Sequence, residues 1–319
     1  MRLQFAGGIY DRTVALITGA VQPEGVELDY LVGEINQIFR RMLSQQEFEA
    51  SELSASNFII QRTRGDERFV ALPVFPSRTF RHNAIYVNVG AGIERPEDLR
   101  GKRVGIPEYF QTANFWIRAF LQHDYAVLPE QIRWVRGDPD KLDLPLPANL
   151  ELTEAPGGRA ALSGMLEAGD LDALVELFPP ACFRAGSPRV RRLFPDCRAA
   201  EIEYYQRTGH FPIMHLVALR RDVYERDRTL AWRLYDAFLE AKRQAYSHLQ
   251  STGALVTSLP LQVSYAAETR ALFGDDPFPY GVERNRHTMG ALARYVYEQG
   301  VAPRELSVEE IFVPELLNT

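Results

Sequence analysis

Residues 75–82 read FPSRTFRH and set Arg78, Arg81 and His82 in a short link between the apolar runs FVALPV and AIYVN. Guanidinium groups grip carboxylates through paired N–H donors and stay charged at any useful pH. An imidazole titrates near neutrality, so His82 is a candidate acid or base for whatever the arginines hold. Taken alone, an R-x-x-R pair reads as two surface arginines on a turn, and His82 as a residue that orders the chain through a backbone hydrogen bond. The position between two strand-like runs points instead to the mouth of a cleft and to an anion.

Other residues could do related chemistry. His210 and His215 flank FPIM; on a strand, residues five apart face opposite sides, so no shared metal is expected and each is a separate proton-transfer candidate. His215, inside IMHLVAL, reads equally well as a satisfied core histidine. Near Thr112 a helix should begin, whose free amides and dipole favour an anion; Thr112 could equally be a simple N-cap. Glu108 ends the strand RVGIPE, where it could take a proton, orient a histidine, or be a solvated acid. Tyr10 and Arg12 follow the first strand, and Ser54 and Ser56 follow another; ligands gather at strand ends in open α/β sheets. The plain readings are a cap with a salt bridge for YDR and an N-cap for SAS. His287 has no evident role, and GAGIER, which leads into PEDL, reads as a turn rather than a phosphate loop.

The elements that must position these residues alternate. RLQFA, ELDYL, the run before SASNFII, FVALPVF, AIYVN, GKRVGIPE, QIRWV, DLDALVE and HFPIMHLVALRRD read as strands. EINQIFRRMLSQQ and TLAWRLYDAFLEAKRQAYSHL carry helical apolar spacing, and TANFWIRAFLQHDY also reads as a helix. This is an α/β pattern. DPDKLDLPLPANLELTEAPGG reads as a Pro-rich loop insertion.

The chain has 319 residues, 46% hydrophobic, enough for two ordinary cores. A net charge of -6 argues against a nucleic-acid partner, and Arg189-Val190-Arg191-Arg192 and Arg220-Arg221 read as solvated faces. Cys182 and Cys197 have no metal-ligand spacing and read as reduced structural thiols. The start MRLQFAGGIYDR lacks the features of a leader and no run of eighteen apolar residues occurs, so a soluble, cytoplasmic protein with no membrane association is expected.

GIERPEDLRGKRVGIPE, LEAGDLDALVE and VALRRDVYERDRTLAWRLYDAFLEA resemble segments of the type II periplasmic-binding-protein superfamily. Within it, GGIYDRT, VQPEGVELDYL, PVFPSRTFRHNAIYVN, GIPEYFQTANFWIR, RTGHFPIMH and DPFPYGVERNRHTM resemble the 4,5-dihydroxyphthalate decarboxylase family. The resemblance implies two α/β lobes, residues 1–82 with 210–319 and residues 83–209, with FPSRTFRH and RTGHFPIMH as two crossover strands at the hinge. It also implies decarboxylation of 4,5-dihydroxyphthalate to 3,4-dihydroxybenzoate without a cofactor. A hydroxyl para to the leaving carboxylate feeds electron density into the ring, so the site needs cations for two carboxylates, a base for the phenol and an acid at the ring carbon. On this reading Arg78 and Arg81 clamp the carboxylates, with Tyr10, Arg12, Ser54, Ser56 and Thr112 also facing substrate. His82 leads for proton transfer, ahead of His210, His215 and Glu108. Two other readings fit the scaffold: a solute-binding receptor for an anionic aromatic or a sulfonate, and another enzyme acting on a menaquinone or thiamine precursor. The aromatic content is compatible with a homo-oligomer.

Overall fold

The computed structural model describes residues 1–250 and 253–319. Its described strands are β1 (Arg2–Gly7), β2 (Glu27–Val32), β3 (Ala50–Ser54), β4 (Phe69–Leu72), β5 (Ile85–Asn88), β6 (Arg103–Ile106), β7 (Arg133–Arg136), β8 (Leu152–Glu154), β9 (Ala173–Val175), β10 (Val190–Arg192) and β11 (His215–Arg220). They form two sheets, ordered β2-β1-β3-β11-β4 and β10-β5-β9-β6-β7-β8. In the first, β1 lies parallel to β2 and β3, while β11 returns antiparallel between β3 and β4. In the second, β6 lies parallel to β7 and β9, and β5 runs antiparallel to β9 and β10. The first sheet thus draws on residues 2–72 and 215–220, the second on residues 85–192.

Local sequence explains the elements. β3 and β4 are buried along their whole length, as strands covered on both faces are. The regular ladder of FVALPVF ends at Leu72, before Pro73, which has no N–H to give, and one further bond runs from Val217 N to Val74 O at 3.1 Å. Helix Ile35–Gln45 buries Ile38, Phe39, Met42 and Leu43, the stripe that spacings of three and four produce. Helix Leu230–Leu249 coincides with the apolar periodicity of the sequence, and helix Thr112–Tyr125 is buried all round from Thr112 to Leu121.

Two segments read as unstructured or merely solvated are edge strands. LTE of the Pro-rich stretch pairs with β7 as β8, and VRR pairs with β5 as β10, where Arg191 also donates to Ile93 O at 2.6 Å. Both are three residues long, too short for alternation to be visible.

The links between the sheets lie against each other. Thr79 N donates to Pro212 O at 3.2 Å and Met214 N to Ser77 O at 2.9 Å, with an antiparallel bridge between Arg78 and Ile213. FPSRTFRH and HFPIMH therefore form a two-chain ribbon. HFPIM precedes β11 rather than belonging to it, so the opposite-face argument for His210 and His215 does not apply. Gly209, at φ +69°, ends helix Cys197–Thr208 in the left-handed region and turns the chain into this ribbon.

Candidate active site

The register of β3 and β11 builds the centre of the site. His215 sits opposite Ser54, and residues two apart on a strand share a face, so Glu52 is its diagonal neighbour on that face. His215 Nδ1 lies 2.6 Å from Glu52 Oε1. The Tyr10 hydroxyl donates to the same oxygen at 2.6 Å, and Gly8 N donates to Oε2 at 2.9 Å. Glu52 is fully buried, whereas His215 keeps 19% of its side chain exposed. A carboxylate on Nδ1 keeps that nitrogen protonated, so proton exchange falls to Nε2. Burial, with the Glu52 charge beside it, raises the Tyr10 pKa, so Tyr10 remains a donor. The chain can turn off β1 here because Gly7 has no side chain; a Cβ would stand 2.7 Å from the Tyr30 hydroxyl oxygen.

Two helix N-termini meet in front of this group. Ser54 caps helix Ala55–Thr63, accepting from Asn57 N at 3.5 Å. Across the cleft Gln111 is the N-cap of helix Thr112–Tyr125, so Thr112 is its first helical residue rather than its cap. Thr112 Oγ1 instead accepts from Ser56 N at 3.1 Å and lies 2.9 Å from Ser54 Oγ and 3.0 Å from Ser56 Oγ. These hydroxyls tie one sheet's helix to the other's, and they draw the cleft down to a cavity of about 50 Å³. Its wall includes Phe39, Ser54, Arg81, Thr112, Lys141 and His215. Phe39 meets the His215 ring edge-on, with centroids 4.9 Å apart.

Two cations stand in that wall. Arg81 Nε is buried without a hydrogen-bond partner among the described residues. Burial lowers the Arg81 pKa to about 10, offset only by the charge of Glu201. A half-buried guanidinium with an unpaired Nε is a place where an anion gains a partner without displacing one. Lys141 Nζ lies 2.6 and 2.7 Å from the two oxygens of Glu108, and Gln111 Nε2 donates to Glu108 Oε1 at 3.2 Å. Glu108 is thus a paired carboxylate, not the free base or solvated acid its strand-end position suggested.

Several expected site residues lie elsewhere. Arg78, expected as a clamp, spends its guanidinium on Phe211 O, Pro279 O and Asn285 Oδ1 inside the hinge. Arg12 joins it, donating to Pro76 O and lying 3.8 Å over the Phe278 ring. His82, expected to lead in proton transfer, stacks on Phe120 at 4.4 Å and meets Phe194 edge-on at 5.2 Å; burial lowers its pKa to about 4. His210 stacks on His287 at 4.3 Å, and its pKa also falls to about 4, mainly by burial. None of these four lines the cavity beside His215. Glu52 and Lys141 were not anticipated. A lone acid within ASELS was a readable signal for Glu52, since an uncompensated charge is rare in a buried strand; Lys141, in a Pro-rich loop, offered none. Cys182 and Cys197 are free thiols. Among the described residues no three His, Cys, Asp or Glu side chains group as a metal site, and no helix is long and apolar enough to cross a membrane.

No family model matches the chain. Among solved structures, the periplasmic aliphatic sulphonate binding protein SsuA from Escherichia coli is similar with a TM-score of 0.57 and 15% identity, covering 100% of this chain and 99% of that one. The alkanesulfonate-binding protein SsuA from Xanthomonas axonopodis pv. citri gives 0.56 and 11%, covering 98% of each chain. These likenesses establish the two-lobed type II periplasmic-binding-protein-like fold. A 4,5-dihydroxyphthalate decarboxylase of Pseudomonas putida is 38% identical over 212 residues, 65% of this chain and 82% of its own length. Another, of Comamonas testosteroni, is 37% identical over 325 residues, spanning 100% of this chain and 98% of the relative. With a relative that similar over its full length, the chain belongs to the 4,5-dihydroxyphthalate decarboxylase family.

Proposed function

We propose that this protein is a carboxy-lyase that converts 4,5-dihydroxyphthalate to 3,4-dihydroxybenzoate and CO2 in the cleft between lobes formed by residues 1–82 with 210–319 and by residues 83–209. The observation that carries the reading is His215, held on buried Glu52 at 2.6 Å in the cleft wall that also contains Arg81. Arg81 takes a substrate carboxylate, helped by the helix N-termini at Ser54 and Thr112. The imidazolium of His215 gives its Nε2 proton to the ring carbon that bears the leaving carboxylate. The bond from that carbon to the carboxylate then breaks, its electron pair restores the aromatic ring, and CO2 departs. Net, one proton replaces one CO2. Glu52 is a positioning residue, since it acts through His215, and Tyr10 steadies Glu52 in turn. His82, His210, Arg78 and Arg12 have structural roles at the hinge in this scheme. The protein works in the cytoplasm, without a cofactor.

The test mixes purified protein with 4,5-dihydroxyphthalate and follows CO2 and 3,4-dihydroxybenzoate. Turnover is expected, with kcat reduced roughly 10²–10⁴-fold in His215→Asn while the substrate still binds. Glu52→Gln should lower kcat and move its pH profile, which a purely structural role would not do. Tight binding with no turnover in the unmodified protein would make it a receptor instead, and a fully active His215→Asn would remove the histidine from the chemistry.

A further inference from the structure

We propose that Lys141 is the second carboxylate ligand of the cleft and selects dicarboxylates over monocarboxylates, with Glu108 occupying it until substrate arrives. The inference rests on the dicarboxylate reading above. A dianion in a closed cleft needs two cations, since burying an uncompensated carboxylate is costly. Arg81 can serve one carboxylate, and the other permanent cation in the wall of this cavity is Lys141. His215 already faces Glu52 and has a proton to move.

Lys141 is positioned for this in an unusual way. Its side chain is 3% exposed and that of Glu108 is 8% exposed, so the pair is buried. Glu108 takes two of the three ammonium donors, one with each oxygen, and one N–H remains. Lys141 comes from the Pro-rich segment after β7, and the neighbouring Leu142, Asp143 and Leu144 border a groove together with Arg40 and Arg64 of the first lobe. The segment thus carries a cation from the second lobe to the point where the lobes close. Glu108 follows β6, and its carboxylate presents to Lys141 the chemistry a substrate carboxylate would present. An incoming carboxylate can share the ammonium through its third N–H or displace Glu108 toward Gln111, which already donates to it. A monocarboxylate held by Arg81 gains nothing from Lys141. That asymmetry would also ease release of a monocarboxylate product.

The experiment measures equilibrium binding of phthalate and of benzoate, which lack the activating hydroxyls, alongside turnover of 4,5-dihydroxyphthalate. Lys141→Met alone strands Glu108 in the interior, so the informative variant is Glu108→Gln/Lys141→Met, which removes both charges and is checked by thermal melting. The unmodified protein should prefer phthalate, and the double variant should lose about tenfold or more of that preference, the size of a charged hydrogen bond, with benzoate affinity unchanged. Glu108→Gln alone, with the internal competitor neutralised, should bind phthalate more tightly than the unmodified protein. A double variant that keeps the original preference overturns the assignment, as does weakened phthalate binding in Glu108→Gln. Absence of turnover in the unmodified protein is a separate result: it would overturn the decarboxylase reading while the phthalate preference still reports on Lys141.

Discussion

Arg78 and Arg81 are three residues apart in one motif, yet they carry opposite consequences for mutation. Arg78 satisfies two backbone carbonyls and the Asn285 side chain deep in the hinge. Its pKa falls to about 9, chiefly through burial, so the charge is held against a large desolvation cost by those acceptors. Replacing it with Met orphans buried acceptors, and about 1–3 kcal/mol for each unsatisfied group predicts a marked loss of thermal stability. Arg81→Gln should leave the melting temperature nearly unchanged and raise KM for the dicarboxylate about tenfold or more, as expected when one charged hydrogen bond to substrate is removed. Melting curves and steady-state kinetics on the two variants check this together. If Arg78→Met weakened substrate binding without destabilising the fold, the hinge assignment would be wrong.

At the scale of elements, periodicity revealed the larger pieces and missed the pairings. Helix Leu230–Leu249 was legible because a long apolar stripe at spacings of three and four has one interpretation, whereas helix Thr112–Tyr125 is buried continuously from Thr112 to Leu121 and shows no such stripe. The motif FPSRTFRH was legible as a hinge, but which of its side chains turn into the cleft depends on the ribbon it forms with HFPIMH, a contact between residues more than 130 positions apart. The Glu52–His215 pair depends likewise on β11 returning beside β3, which no local pattern encodes. The same ribbon explains His82. Its Nδ1 is buried without a partner among the described residues and its ring lies on Phe120, so the neutral ring is what the site accommodates. With folded pKa values near 4 for His82 and His210 against an ordinary 6.5, the unfolded chain binds more protons between those limits. Stability from these residues is therefore complete above pH 6.5 and is lost as pH falls toward 4, on the order of 3 kcal/mol for each histidine. His82→Phe, which keeps the stack and deletes the titration, should flatten the fall in melting temperature between pH 6.5 and 4.5; an unchanged slope would show that His82 does not titrate in this way.

Seen as one molecule, the described conformation is closed. Thr112 from one lobe meets Ser54 and Ser56 from the other at 2.9 and 3.0 Å, and the remaining cavity of about 50 Å³ holds a few waters rather than an aromatic diacid. On the proposed reading substrate enters when those hydroxyl contacts part, with the antiparallel ribbon between the two sheets flexing. In the proposed scheme closure also serves the chemistry, because excluding water strengthens the attraction between Arg81 and a carboxylate. The proximity of Ser56 Oγ and Thr112 Oγ1 offers a direct test, because cysteines at both positions would bring two sulfurs toward the roughly 2.05 Å of a disulfide. The oxidised Ser56→Cys/Thr112→Cys protein should neither bind phthalate nor turn over 4,5-dihydroxyphthalate, and dithiothreitol should restore both to the level of the reduced variant. Each single-cysteine variant, carrying the native Cys182 and Cys197, controls for oxidation elsewhere. Loss of function that follows the crosslink and reverses with it makes opening an obligatory step. Turnover by the crosslinked protein would place the entry route elsewhere and leave the hydroxyl cluster as static scaffolding.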